Sequence, residues 1–510
     1  MARSARSVTA VRMLAGLAAA AVSVGVAQLF AVFFSPAADV RSAVGSAVID
    51  MTPGPIKEWA IQTFGTADKA FLSVMVLLTI GLAAAVAAVW ERPGIPVGSL
   101  AIAVGGAAGI SAVLGRPGAR LDDLIPTLLA VLCGIGAMRL LTRDRDRIDT
   151  GSTKHDADRR RSLQALGFIG LGVLSGVAGE ILTRRIRSVE GDRSGFTLPE
   201  AQPPAVPIDP AVQPKGVELP SFITGNADFY RIDTALRVPQ VARGDWRLRV
   251  HGMVEREATY SFTDLERFEP VEATVTLTCV SNPVGGDLIS TATWTGYRLR
   301  DLLRDCGVHP DADMVLSTSA DGFTAGTPVE ALTDGRDAML AIGMNGVPLP
   351  VEHGYPARLV VPGLYGFVSA TKWVTDLELT RFDRAEAYWT KLGWAARAPI
   401  KTQSRIDVPR EGRRIPRGPV TFGGVAWAQH RGIRAVEVRL DDGPWQAAQL
   451  AAFYSNDTWR LWSFAANAEP GPHTLSVRAI DNTGAVQTGD RAPVVPDGAT
   501  GWHTVSFDVE

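Results

Sequence analysis

Apolar residues follow two regimes along the chain. Up to about residue 185 they come in long uninterrupted runs, and beyond it they alternate with charged, aromatic and turn-forming residues. Five runs reach or approach the roughly 20 residues needed to cross a bilayer: Val11 to Phe34, Ala70 to Trp90, Pro96 to Leu114, Leu124 to Leu141 and Leu163 to Leu182. The pattern predicts five transmembrane helices over 1–185, the first retained as an anchor because further spans follow it. Residues 186–220 carry Pro199, Pro203, Pro204, Pro207, Pro210 and Pro214 and predict an extended linker.

From 221 to 400, strand-like runs at Trp246 to Val250, Ala273 to Cys279 and Arg358 to Val361 alternate with helix-like segments such as Leu299 to Arg304, an α+β pattern. Over 401–510 the helix signals stop. Val420 to Ala426, Ala435 to Leu440, Trp459 to Phe464 and Thr474 to Ala479 read as strands punctuated by turns at Asp441-Asp442-Gly443, Pro470-Gly471 and Asp481-Asn482. That spacing predicts an all-β immunoglobulin-like sandwich, without the cysteine pair of antibody domains. The whole is a multidomain chain: membrane helices, an α+β domain and a β-sandwich.

Charge orients the first part. Arg3, Arg6 and Arg12 hold the amino terminus inside, as does the loop with Arg143, Arg145, Arg147, Lys154, Arg159, Arg160 and Arg161. The fifth span then exits, placing everything after Leu182 outside the cell membrane, against the opposing but smaller cluster Arg184, Arg185 and Arg187. Arg160-Arg161-Ser162-Leu163 looks like an internal twin-arginine export signal, the alternative being an ordinary positive-inside cluster. All seven histidines lie outside the spans, which excludes a bis-histidine haem within the bilayer.

Over the 510 residues, 51 basic side chains balance 53 acidic ones, so no global field favours nucleic acid. Cys133, Cys279 and Cys306 are too far apart for a zinc ribbon or a disulfide framework. Cys133 and Cys306 are expected as small core residues.

The chemistry concentrates around the third cysteine. Leu277-Thr278-Cys279-Val280-Ser281-Asn282, followed by Trp294-Thr295-Gly296-Tyr297-Arg298-Leu299, resembles the sulfite-oxidase superfamily of molybdenum enzymes, in which a strand-end cysteine precedes a W-x-G-x-x-L motif opening a helix. Pro350 to Lys372 is similar to the family's cofactor segment, and Val420 to Leu450 to its dimerisation domain. The resemblance implies a membrane-anchored bacterial member with a molybdenum-molybdopterin cofactor whose metal takes the Cys279 thiolate, a soft donor for a soft centre. It further implies cofactor contacts from Asn226, Tyr230, Arg231, Ser319, His353, Arg358 and the segment Ser369, Ala370, Thr371 and Lys372, with Arg358 and Lys372 on the phosphate. Cys279, Arg231 and Phe323 are the candidate catalytic residues.

One departure bears on substrate. Sulfite-oxidising members carry a tyrosine where this chain has Phe323, five residues before Pro328, and the loss removes a hydroxyl from the expected pocket. The expected activity is two-electron chemistry, oxo transfer or a related reduction, on a small molecule outside the membrane. Sulfite oxidase or sulfoxide reductase proper is the alternative. The expected partners are the membrane, a separate electron carrier (quinone or cytochrome) and a second copy of the chain. Two competing readings are a non-catalytic surface module and a thiol hydrolase using Cys279 and His353.

Overall fold

The computed structural model describes all residues except 1, 65–67, 93, 144–153 and 234. The chain forms two compact units, unit 1 of Met1–Ser188 with Ala235–Arg237, and unit 2 of Val189–Thr234 with Val238–Glu510.

Unit 1 is helical: α1 (Ala2–Phe30), α2 (Val40–Met51), α3 (Gly54–Phe64), α4 (Asp68–Val89), α5 (Val97–Leu114), α6 (Ile125–Thr142) and α7 (Lys154–Arg187). By length and composition five of the described helices, α1 and α4 to α7, are candidate membrane spans, and they cover the five apolar runs. Helices α2 and α3 lie where no apolar run predicts an element; Asp39 caps α2 by accepting from Arg41 N and Ser42 N. α1 and α7 approach closely because Gly25 and Gly172 face each other: a Cβ on Gly25 would lie 2.1 Å from Gly172 O. Cys133 is exposed on α6, not a core residue. Apart from Arg139 in its last turn the helix is apolar on its exposed side as well, with Leu128, Leu132 and Leu140 also exposed, so apolar character does not by itself place a residue in the core. Arg145 and Arg147 of the basic loop lie outside the described residues.

Unit 2 begins with the Pro-rich stretch, which is pinned to the rest of the unit: Arg193 Nε donates to Leu349 O at 2.9 Å and Gln202 N to Pro270 O at 2.9 Å. Two sheets follow. One orders β1 (Arg247–Gly252), β2 (Ala258–Ser261), β5 (Met314–Ser319), β6 (Thr324–Pro328) and β10 (Val374–Thr380) as β2-β1-β10-β5-β6, with β1 and β10 parallel. The other orders β3 (Pro270–Thr278), β4 (Ile289–Arg298), β7 (Met339–Met344) and β8 (Val347–Pro348) as β8-β7-β4-β3, with β9 (Arg358–Val360) also on β7. Trp294-Thr295-Gly296 belongs to β4 and only Leu299 opens the helix, α8 (Leu299–Cys306), so the W-x-G-x-x-L motif spans a strand-to-helix junction. Leu299, Leu302, Leu303 and Cys306 are its buried face.

The carboxy-terminal region is β-rich. Gln403–Val408, Gly418–Trp427, Arg460–Ala468 and Gln449–Leu450 form one sheet, and Arg413–Ile415, His503–Val509, Gly471–Asp481, Ile433–Leu440 and Gln446–Ala447 the other. Phe422 and Trp462 of the first meet Val438, Val477 and Phe507 of the second in one core. The strand Arg413–Ile415 pairs in parallel with His503–Val509.

Candidate active site

Cys279 is the first residue after β3 and is partly exposed. Its loop is closed by Cys279 N donating to Leu288 O at 3.0 Å and Leu288 N to Asn282 Oδ1 at 3.0 Å. Strand β3 ends its sheet, yet its free edge is covered from the carboxy-terminal region. Thr276 N donates to Asp457 O at 2.9 Å, Trp459 N to Thr276 Oγ1 at 2.8 Å, and Gln429 Nε2 to Thr276 O at 3.2 Å and Thr278 Oγ1 at 2.9 Å. An unpaired edge would be free to shift or pair elsewhere, and these bonds fix the strand that delivers the thiol.

A basic cradle is built beside it. Arg358, on β9, is 5% exposed and stacks over the Trp294 ring at 5.0 Å. Its guanidinium donates to the carbonyls of His353 at 3.1 Å, Ala370 at 3.4 Å and Leu359 at 3.3 Å, with no carboxylate among those partners. Burial pushes its pKa down to about 10. Lys372 pairs with Asp233 and donates to Glu352 O at 3.3 Å, and burial pushes it down to about 8. Arg231 Nε donates to the other oxygen of Asp233 at 2.6 Å. Burial would raise Asp233, but Lys372 and Arg231 outweigh it and hold the carboxyl below its usual range. Gly354, at φ +115°, lets the loop pass over both stems, since a Cβ there would lie 2.9 Å from Arg358 Cβ and 3.2 Å from Lys372 Cβ.

The other expected residues divide by what their polar atoms do. Asn226 O accepts from His353 Nε2 at 3.0 Å, and burial followed by the charge of Arg358 pushes His353 down to about 4, so the ring is neutral near pH 7. Tyr230 N donates to Ser290 Oγ at 3.1 Å, and burial together with Cys279 raises its phenol. Ser369 Oγ donates to Tyr365 O at 2.9 Å and Thr371 Oγ1 bonds Ser317 Oγ at 2.7 Å, so both hydroxyls serve the fold, and between them Ala370 O accepts from Arg358 at 3.4 Å. Ser319 Oγ bonds Asp321, and Ala320 N donates to Trp373 O at 2.9 Å, which sets this turn against the segment carrying Lys372. Phe323 packs edge-on against Tyr388 at 6.0 Å. Sequence reasoning misses two things here. Asp233 shares its carboxylate between two cations, for which its spacing two residues from Arg231 is a weak signal, and Gln429 has no local signal at all.

Two cations, Arg231 and Lys372, thus share the single carboxylate of Asp233, and the buried guanidinium of Arg358 lies within range of its charge. Such a cradle suits an anion with several acceptor oxygens, and the thiol beside it suits a soft metal, so the residues fit a phosphate-bearing dithiolene cofactor. The family description "Oxidoreductase molybdopterin binding domain" matches residues 235–389. The chain is 30% identical over 322 residues to sulfite oxidase of Gallus gallus, spanning 54% of this chain and 70% of that protein.

The chain belongs to the sulfite oxidase family.

Mitochondrial sulfite oxidase of Homo sapiens is also 30% identical, over 54% of this chain and 59% of its own length, and nitrate reductase [NAD(P)H] of Hordeum vulgare is 29% identical over 48% and 34%. Among solved structures, the sulfane dehydrogenase SoxCD from Paracoccus pantotrophus aligns with a TM-score of 0.49 at 26% identity, covering 57% of this chain and 84% of that one. This sulfite oxidase family member is a molybdenum-cofactor oxidoreductase, and its cofactor is molybdenum-molybdopterin. Its sulfite-oxidase-like domain is followed by the β-rich carboxy-terminal region.

Proposed function

We propose that the protein is a membrane-anchored enzyme whose catalytic unit lies outside the cytoplasmic membrane and carries out two-electron oxo transfer, or the related reduction, on a small molecule. The observation that carries the site assignment is the buried guanidinium of Arg358, held by carbonyls alone, next to an Asp233 carboxylate shared by Arg231 and Lys372, with Tyr230 within range of both Arg358 and Cys279. The cofactor, when bound, supplies the two-electron redox chemistry.

Cys279 supplies a thiolate to the metal. Arg358 and Lys372 would hold the pterin phosphate, Arg as a fork and Lys as a point charge, with the backbone of Ser369 to Lys372 and the loop of His353 supplying the rest of the cradle. Neutral His353 donates from Nε2 to Asn226 O, which joins the Asn226 segment to the cradle and leaves the ring a poor base. That disfavours a thiol hydrolase. Tyr230 lines the space near Cys279, and Arg231, with its side chain 36% exposed, is the cation within reach of a small anionic or dipolar substrate. Phe323 contributes a wall without a hydroxyl, which favours a substrate other than sulfite.

Anchoring is supported by the five apolar helices and by the basic residues ahead of the apolar stretch of α7, among them the Arg160-Arg161 pair in its amino-terminal turns, read as an export signal. We read the carboxy-terminal two-sheet region as an immunoglobulin-like domain that pairs with a second copy. A separate carrier moves the electrons.

X-ray absorption at the molybdenum edge tests the ligand. Cys279→Ser should show one Mo–S bond fewer with the pterin retained, and an unchanged sulfur count would overturn the assignment. Lysine at both Arg160 and Arg161 should leave the catalytic unit inside, and normal export of that variant would remove the twin-arginine reading alone.

A further inference from the structure

The helices of unit 1 leave a groove of about 680 Å³ between α1, α4 and α7. Its walls are apolar, formed by Leu17 and Val24 of α1, Ile80 of α4, and Ile169 and Val173 of α7. On α7 the lining runs from Ile169 to Arg184, a length of about 22 Å at the rise of an α-helix. One end is polar, with Gln28, Arg41, Glu180 and Arg184 around it.

Two observations at that end point to an uncharged head group. Gln28 is 5% exposed and lines the groove, and among the described residues its side-chain amide has no hydrogen-bond partner. A carboxamide offers two donors and an acceptor, and on a residue with so little surface left, that surface facing the groove, a ligand in the groove is what can answer them. Glu180, by contrast, is already engaged: it accepts from Arg41 at 2.7 Å, from Arg184 at 2.9 Å and from Arg237, which also pairs with Asp39 at 2.8 Å. Both Glu180 oxygens and the three arginines are therefore taken up with one another, and the group left to be answered at this end is the uncharged Gln28 amide.

We propose that this groove binds a membrane quinone, with the ring at Gln28 and the prenyl chain along the walls toward Leu17 and Ile169. The inference rests on the reading of unit 1 as membrane-embedded and names the class of the electron carrier. A quinone carbonyl accepts from the Gln28 amide, and a quinol hydroxyl donates to the amide oxygen, so both redox forms are matched. The electrons also balance. Reduction of a quinone to a quinol takes up two electrons and two protons, the number an oxo-transfer oxidation releases, and the reverse direction gives them back. With every histidine outside the apolar spans, a carrier of this kind needs no haem ligand from the helices.

The test uses the full chain in phosphatidylglycerol nanodiscs, titrated with an azide-bearing prenylated naphthoquinone that is then photolysed. Saturable binding, with label mapped to α1 or α7, is expected. Gln28→Leu should weaken it by roughly tenfold or more. Gly81→Leu should do the same by filling the groove, because a Cβ there meets only Leu17 Cδ2 at 3.4 Å and the side chain has room to enter. Val104→Ala, on an exposed position of α5 outside the groove, should bind as wild type does. Absence of saturable binding, wild-type affinity in both groove variants, or a groove found to hold only phospholipid would overturn the proposal. Carbonate washing of membranes separates the two levels: a chain released by the wash removes the anchoring reading and this site with it, whereas a chain retained by the wash but unable to bind the probe removes the quinone site alone.

Discussion

Gln429 Nε2 donates to Thr278 Oγ1 at 2.9 Å, so a side chain from the carboxy-terminal region holds the residue directly before Cys279. The same amide reaches Thr276 O at 3.2 Å, and its Oε1 has no partner among the described residues. Gln429→Leu removes both donations and leaves Thr276 O and Thr278 Oγ1 short of a donor, at a cost of about 1–3 kcal/mol. A fall in the urea midpoint is expected, together with a larger fractional loss of dye-linked turnover than of bound molybdenum. Equal turnover per molybdenum in variant and wild type would show that the bond serves stability alone.

Arg358 carries a buried charge compensated by carbonyls. Replacing it with methionine removes a charge that costs the cofactor-free fold desolvation, and leaves three carbonyls with one donor fewer. The cofactor-free Arg358→Met protein should lose no more than about 1 kcal/mol of stability, because these terms oppose one another. Retention of molybdopterin, read from pterin fluorescence after denaturation, should fall by roughly tenfold or more. A variant that keeps its pterin would take Arg358 out of the phosphate site.

Lys372 gives a pH signature. Its folded value of about 8 lies below its ordinary value of 10.5, so between those limits the unfolded chain binds a proton that the folded one has given up. Stability from this group therefore rises with pH from about 8 to about 10.5, by about 3 kcal/mol. The expected gain is the difference between cofactor-free wild type and Lys372→Gln in urea unfolding across that window. Bound phosphate should shrink it by restoring the ammonium.

His353 acts at the other end of the scale. Burial and Arg358 bring it to about 4 from an ordinary 6.5, so the folded protein excludes a proton that the unfolded chain accepts. Its contribution, about 3 kcal/mol, is complete above pH 6.5 and is lost as the pH falls toward 4. His353→Gln should flatten the acid limb of the stability curve. His503, also brought to about 4 by burial and then Arg405, should keep part of that limb in the single variant.

Phe323→Tyr adds a hydroxyl at the wall that packs on Tyr388. If the missing hydroxyl is what turns this pocket away from sulfite, kcat/KM for sulfite should rise by roughly tenfold, equivalent to about 1.4 kcal/mol of transition-state stabilisation. An unchanged value would place sulfite discrimination elsewhere in the pocket.

The sequence by itself determined what is local. Apolar run length located the five long helices, the strand before Cys279 was legible from its residues, and Arg358, His353 and Lys372 stood within one recognisable stretch. Tertiary structure decided what depends on distant partners. Thr278 and Gln429 are 151 residues apart, and no periodicity links them. Asp233 becomes the shared counter-charge of Arg231 and Lys372 only when a segment 139 residues away folds over it. The hydroxyls of Ser369 and Thr371 were equally open to a ligand in the sequence, and only packing turned them into the fold. Gln28 reads as one more helix residue until α4 and α7 close around it. Local patterns specify which faces are apolar, but the pairing of buried polar groups is set when separate elements exclude water from the same place.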